Sequence, residues 1–232
     1  MIKGKLIVID GTDGSGKATQ TTLLVKRLKK DGYKVKTIDF PRYYKNFFGQ
    51  LIGECLSGSC GDFIKTDPHI ASVLYAADRF ESAKEIKQWL ALGGVVIADR
   101  YVSSNQIHQG SKIADPKQRG EFLRWLDKME YGIFGSPKPD LIVFLDVPIQ
   151  ISQRLLKLKD AKVKKRYLKG KNDLAEKNRS HLEDSRSSAI DLVKRSNHWK
   201  KIDCTEAGRI LPKESIHHLV YNEVVKILNH KI

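Results

Sequence analysis

The residues most able to do chemistry stand near the start of the chain, where Gly11, Thr12, Asp13, Gly14, Ser15, Gly16, Lys17, Ala18 and Thr19 follow one another. Gly-x-x-x-x-Gly-Lys between an apolar run and a helix-forming stretch is a phosphate cradle. Glycines let successive backbone N–H groups turn inward around an anion. The helix that begins there adds its positive end, and Lys17 can reach the outer phosphates. The motif usually continues with a hydroxyl that meets Mg2+. Here Ala18 holds that position, and Thr19 follows one residue late.

Asp99 and Arg100 directly follow the apolar run Val95–Ala98. A carboxylate at a strand end can hold Mg2+, directly or through water, and a guanidinium beside it can clamp a phosphate bidentately. Arg42, after Phe40 and Pro41, is a second guanidinium in a comparable setting. Tyr75 and Arg79 stand four apart in a helical stretch, so they share a face. An aromatic plane with a guanidinium at its edge can stack a nucleobase and donate to a carbonyl on it.

These groups need a scaffold that gathers them. Leu6–Ile9 reads as a buried strand, and Leu23, Leu24 and Leu28 mark the inward face of a helix that stops near Asp31-Gly32. Val35–Ile38 predicts a second strand and Gly49–Leu56 a helix. Asp67-Pro68 caps a long helix that ends at Gly93-Gly94. Val95–Ala98, Leu141–Leu145 and Trp199–Ile202 predict three further strands. Helices are expected over Pro116–Tyr131, Ile149–Leu158, Asp173–Lys194 and Ser215–Leu228.

This alternation predicts an α/β fold: a five-stranded parallel sheet with helices on both faces and right-handed crossovers. Ligands of such sheets sit at the carboxyl ends of the strands, where the polar clusters at 11–17, 40–43 and 99–100 all fall. No repeat or linker interrupts residues 1–232, which read as a single domain.

Composition narrows the class. No apolar run is long enough for a membrane span or a signal-peptide core. Cys55, Cys60 and Cys204 are few, odd in number and match no zinc spacing, so they read as packing residues in a reducing cytosol. The net charge of +15 is unevenly spread: from Lys157 to Lys171, eight basic residues face one acid, Asp160. Such a segment suits a triphosphate as well as a nucleic-acid backbone.

In their order and spacing, Gly11-x-Asp13-Gly14-x-Gly16-Lys17-x-Thr19-Gln20, Phe40-Pro41-Arg42-Tyr43, Asp78-Arg79, Asp99-Arg100-Tyr101-x-x-Ser104 and Asp173-x-x-Glu176 resemble the thymidylate kinase family over nearly the whole chain. The resemblance implies a P-loop nucleoside monophosphate kinase that moves the γ-phosphoryl group of ATP to dTMP with Mg2+, giving dTDP and ADP for dTTP synthesis. It also implies roles. Residues 11–19 would bind ATP, with Lys17 and Arg100 catalytic. Asp13 would accept from the sugar 3′-hydroxyl, Phe40 would wall the nucleoside, and Arg42 and Tyr43 would flank the acceptor phosphate. Tyr75 would stack on thymine and Arg79 would donate to its O4, a donor that mismatches the amino group of cytosine. Arg100 would hold the monophosphate, and Asn105 would meet the polar edge of the base. Asp173 and Glu176 would close over the substrate, while Asp99, with Thr19, is the metal candidate.

Some members of this family carry a catalytic arginine inside the phosphate loop, whereas others have glycine there and supply the basic group from a mobile lid. Gly14 puts this chain with the second kind, so 157–171 is expected to form a basic lid, with Arg166 or Arg154 closing on ATP. Phosphoryl transfer rests on positioning and charge neutralisation. Three residues depart from the family pattern. Ala18 lacks the metal-binding hydroxyl, His108 replaces a tyrosine or phenylalanine near C2′ of the substrate sugar, and Ala175 replaces a ring.

The analogy further implies a cytoplasmic homodimer with small-molecule substrates, no membrane association and no nucleic-acid partner. Two alternatives remain open on the residues. One is a related kinase acting on dUMP, UMP or a deoxynucleoside, motivated by His108. The other is a nucleotide-responsive nucleic-acid-binding protein, motivated by the charge and Ala18.

Overall fold

The computed structural model describes residues 4–160 and 179–229. Five strands form one parallel sheet in the order β2-β3-β1-β4-β5. They are β1 (Lys5–Gly11), β2 (Val35–Asp39), β3 (Val95–Asp99), β4 (Leu141–Asp146) and β5 (Trp199–Asp203). The central strands are apolar on both sides, as a parallel sheet covered on both faces requires. Alternation splits them into two cores: Leu6, Val8, Val96 and Phe144 face one way, and Ile7, Ile9, Ile97 and Val143 the other.

On the second face lie α1 (Lys17–Lys30), through Leu24 and Leu28, and α8 (Lys213–Asn229), through Ile216, Val220 and Val224. The first face is covered by α3 (Pro68–Ala91), α5 (Pro116–Asp127) and α7 (Arg179–Arg195). Shorter helices α2 (Phe47–Leu56), α4 (Val102–His108) and α6 (Ile149–Asp160) stand around the carboxyl edge of the sheet. Asp67 caps α3 as the Asp-Pro pair predicts, and Asp115 caps α5 in the same way, each accepting from backbone N–H groups of the first turn. Register sets the chemistry at one edge, because Asp99 at the end of β3 pairs with both Ile9 and Asp39.

Three local features differ from expectation. The helix expected to run to Tyr131 ends at Asp127 and continues as a wider π turn, Lys128–Ile133. An unforeseen hairpin, β6 (Thr205–Glu206) and β7 (Arg209–Ile210), turns through Ala207 and Gly208, both at positive φ.

The third difference concerns the cysteines. Cys55 and Cys60 are joined by a disulfide rather than being unpaired packing residues. Gly58, with φ of 92°, folds the chain back after α2 and brings the two Cα atoms to 4.6 Å. Cys204 is free and buried, as expected. Most of the basic segment, with Arg166, and the closing residues Asp173, Ala175 and Glu176 lie outside the described residues. Among the described residues no helix is long and apolar enough to cross a membrane.

Candidate active site

A cavity of about 830 Å³ runs along the carboxyl edge of the sheet. Its floor is the loop between β1 and α1, which turns at Gly11, Gly14 and Gly16 with φ of 155°, 81° and 89°. Residues with a Cβ rarely adopt the last two values. At Gly14 there is also no space, since a Cβ would lie 2.3 Å from the carbonyl oxygen of Ser152 on α6. Lys17 Nζ folds back onto the loop and donates to the carbonyls of Gly11 (3.0 Å) and Thr12 (2.9 Å). Burial pulls its pKa down and Arg100 adds to that effect, while Asp13, Asp99 and Asp10 oppose it.

Arg100 leaves β3 with φ of 66°, a left-handed conformation uncommon for a residue other than glycine. Such strain gathers at functional sites. Its Nη2 donates to Asp13 Oδ1, and Nη1 lies 3.8 Å from Asp10 Oδ1. Burial works against the guanidinium's charge, but Asp13, Asp10 and Asp99 outweigh it and raise the pKa. Asp10 is itself fixed by the Ser103 and Ser104 hydroxyls, at 2.5 and 2.9 Å, and by the Gly11 N–H. Burial raises the pKa of Asp99, while Lys17 and Arg100 pull it down.

Towards the other end, Tyr75 tilts against Phe63 with ring centroids 6.1 Å apart, and Phe40 tilts against Tyr101 at 5.9 Å. Arg79, one turn beyond Tyr75 on α3, is almost fully buried yet reaches the cavity wall. Asn105 Nδ2 donates to the Ser72 carbonyl at 3.2 Å, which fixes its amide. His108 stands between Arg100 and Ser185 of α7, touching both. Ile210, Leu211 and Ile216 add an apolar stretch to the cavity wall. Gln20 beside it is tied through Nε2 to the Lys213 carbonyl at 3.0 Å.

The cavity therefore gathers loop residues 13–19 with Phe40, Tyr43, Asp99 and Arg100, and further along Tyr75, Arg79, Asn105 and His108. Gly11 and Thr12 do not line the cavity, and their carbonyls accept from Lys17. Arg42 is not on the cavity wall. Its Nη1 donates to Ser82 Oγ (2.9 Å) and Glu85 Oε2 (3.1 Å), so a carboxylate on α3 has captured it. Arg154 is exposed on α6, which offers Leu155 and Leu156 to the cavity instead.

Among the wall residues that escaped the sequence reading are Gln109, Lys112 and His181. Gln109 was findable, because it follows Asn105 by four positions at the end of α4. Lys112 Nζ donates to the Thr66 carbonyl at 3.1 Å, and burial pushes its pKa down to about 8. His181 lies 5.7 Å from His108, ring to ring, only because α7 packs on α4. No spacing signal announces either of the last two.

Known proteins resemble this arrangement consistently. A family model described as thymidylate kinase matches residues 9–214. The probable thymidylate kinase of Pyrococcus horikoshii is 34% identical over 211 residues, covering 83% of this chain and 97% of that protein. The thymidylate kinase of Mycobacterium tuberculosis is 32% identical over 147 residues, 63% of this chain and 68% of that protein. Human thymidylate kinase is 31% identical over 147 residues, 63% of each chain. A solved thymidylate kinase structure from Candida albicans superposes with a TM-score of 0.74 at 22% identity, over 99% of this chain and 94% of that one, a likeness of fold.

Proposed function

This chain belongs to the thymidylate kinase family, and from that premise we propose a division of labour in its cavity. The reaction is transfer of the γ-phosphoryl group of ATP to dTMP, giving dTDP and ADP. The ATP phosphates lie in the loop from Gly11 to Lys17, where backbone N–H groups and the start of α1 meet negative charge. Lys17 moves from the loop carbonyls to the outer phosphates. The adenine base lies against Ile210, Leu211 and Ile216, supported by the apolar wall they give the cavity.

Arg100 holds the acceptor monophosphate, with Tyr43 beside it, and Asp13 accepts from the sugar hydroxyl. Phe40 walls the nucleoside, Tyr75 stacks on thymine, Arg79 donates to its O4 and Asn105 meets its polar edge. Arg42 reaches the acceptor phosphate only on release from Glu85. The segment 157–171 closes as a lid, bringing Arg166 or Arg154 to the transferring group, and Asp173 and Glu176 follow it over the substrate.

Mg2+ fits the donor set, because Asp99 presents a hard oxygen ligand to the cavity beside the phosphate loop. When bound, the ion supplies charge neutralisation on the phosphate oxygens. Asp99 would hold it, with the Thr19 hydroxyl as the nearest substitute for the one missing at Ala18. Ile70, Val73 and Phe80, exposed on one face of α3, support a homodimer packed through that helix. The nucleotide substrates support a cytoplasmic location.

The observation that carries this reading is one continuous cavity from Lys17, past the Asp13–Arg100 pair, to Tyr75 and Arg79. The test is a coupled assay with ATP, Mg2+ and dTMP, dUMP, UMP, dCMP, dGMP or thymidine as acceptor. dTMP is expected to give the highest kcat/KM. Equal turnover of dCMP or dGMP would overturn the assignment of the base pocket. A preference for dUMP, UMP or thymidine would move the substrate to the related kinases.

A further inference from the structure

The residue that orients Arg79 lies outside every motif in the chain. Arg79 and Glu130 are separated by 51 positions, and their side chains are only 2% and 0% exposed. Arg79 Nε donates to the two carboxylate oxygens of Glu130 at 3.0 and 3.2 Å, and Nη2 donates to Oε1 as well. Nη1 approaches the Tyr101 carbonyl at 3.5 Å.

Glu130 is in turn held from behind. Ser136 Oγ lies 3.4 Å from its Oε2, and the Ser136 N–H donates to the Glu130 carbonyl at 2.8 Å. Glu130 sits in the π turn Lys128–Ile133, and such wide turns recur at functional sites.

A guanidinium has five N–H donors in a rigid fork. Glu130 engages the Nε side of that fork, which leaves hydrogens on the two terminal nitrogens for other acceptors. Burial opposes the charge on Arg79 and the Glu130 carboxylate restores it, so the fork stays cationic at the cavity wall. Stability is a poor reason for such a pair, since buried ion pairs can often be replaced by apolar side chains without loss. A fixed, charged donor facing a cavity is a better one.

We propose that Glu130 is a positioning residue, holding the Arg79 guanidinium at one angle so that its free N–H groups meet a carbonyl on the pyrimidine. This rests on the reading that Arg79 contacts the base. Glu130 itself touches no substrate. Its contribution is the direction of the fork and the exclusion of other rotamers.

The test is steady-state kinetics on Glu130→Gln and Arg79→Met in the full chain, with melting temperatures alongside. For Glu130→Gln, KM for dTMP is expected to rise about tenfold or more while kcat and KM for ATP stay within about twofold. The preference for dTMP over dCMP should fall in the same variant. If Arg79→Met leaves KM for dTMP and that preference unchanged, the base-contact reading fails. If Arg79→Met raises KM but Glu130→Gln does not, the positioning proposal fails alone. Parallel rises in KM for both substrates with a lowered Tm would also overturn it, since they report a general structural role. Should Glu130→Gln not fold, Glu130→Asp keeps the charge and withdraws the carboxylate by one carbon. A raised KM for dTMP alone then supports the proposal, and an unchanged one overturns it.

Discussion

Nε2 of His108 lies 3.2 Å from Nη1 of Arg100. A guanidinium can only donate, so Nε2 accepts, and the ring hydrogen sits on Nδ1, from where it reaches Ser185 Oγ at 3.0 Å. The imidazole is thus a neutral link between the Arg100–Asp13 pair and α7. Burial, then Arg100 and His181, hold its pKa well below the ordinary value of 6.5, with Asp13 pulling the other way and Lys17 adding to the depression.

A histidine kept neutral in the fold takes up its proton on unfolding. Between the folded pKa and 6.5 the unfolded chain binds more protons, so stability falls as pH drops through that window. His181 is shifted in the same direction, so removing His108 abolishes part of the slope. His108→Phe is expected to lose less Tm than the wild type between about pH 7 and about pH 5.5 in thermal scans. Equal losses in the two proteins would show that His108 is not held neutral.

Gly14 has neither the conformation nor the space for a side chain. Left-handed backbone alone costs a non-glycine residue about 1–2 kcal/mol, and contact with the Ser152 carbonyl adds to it. Gly14→Ala is expected to lower Tm by roughly 2 °C or more and to raise KM for ATP, since α6 must shift away from the loop. A variant with unchanged Tm and unchanged KM would mean that α6 does not press on the loop in solution.

Lys17, Arg154 and Arg166 are proposed to meet the charge that develops during transfer. Lys17→Ala is expected to reduce kcat by about 10²-fold or more, the scale of losing one transition-state donor. Replacing Arg154 or Arg166 should lower kcat more than it weakens dTMP binding, measured separately by titration. Unchanged turnover in both single variants and in the double variant would remove both arginines from the reaction.

The exposed Ile70, Val73 and Phe80 on α3 make a test of assembly. Val73→Glu places a charge at the centre of that face and is expected to convert a dimer to a monomer in light scattering. A wild type that runs as a monomer at all concentrations tried, or a variant that remains dimeric, would locate the contact elsewhere or remove it.

Much of the molecule was legible because its signals are local. Gly11, Gly14, Gly16 and Lys17 announce a phosphate loop through backbone freedom and charge alone. Short apolar runs ending in polar residues located β1, β3 and β4, the more polar Val35–Ile38 and Trp199–Ile202 also read as strands, and Asp67-Pro68 located the start of α3. The two-residue strands β6 and β7 are too short for an alternating pattern, so the hairpin that lends Ile210 to the cavity wall went unread. The turn from α5 into a π turn was equally silent, since Met129 fits an ordinary helical face.

By itself the sequence determined the inward face of α1 and which ends of the strands carry polar groups. That was enough for the phosphate loop and the Asp99–Arg100 junction, and helical spacing was enough for the Tyr75–Arg79 face. It did not determine the inward face of α3, where the apolar Ile70, Val73 and Phe80 are exposed and Asp78 and Arg79 are buried. Only the tertiary structure decided which faces meet. It gave Arg79 its Glu130, turned Arg42 to Glu85, brought His181 to His108 and paired Cys55 with Cys60. The physical reason is that period and spacing describe one element at a time, whereas a charged side chain takes its partner from whichever neighbour the packing of helices sets against it.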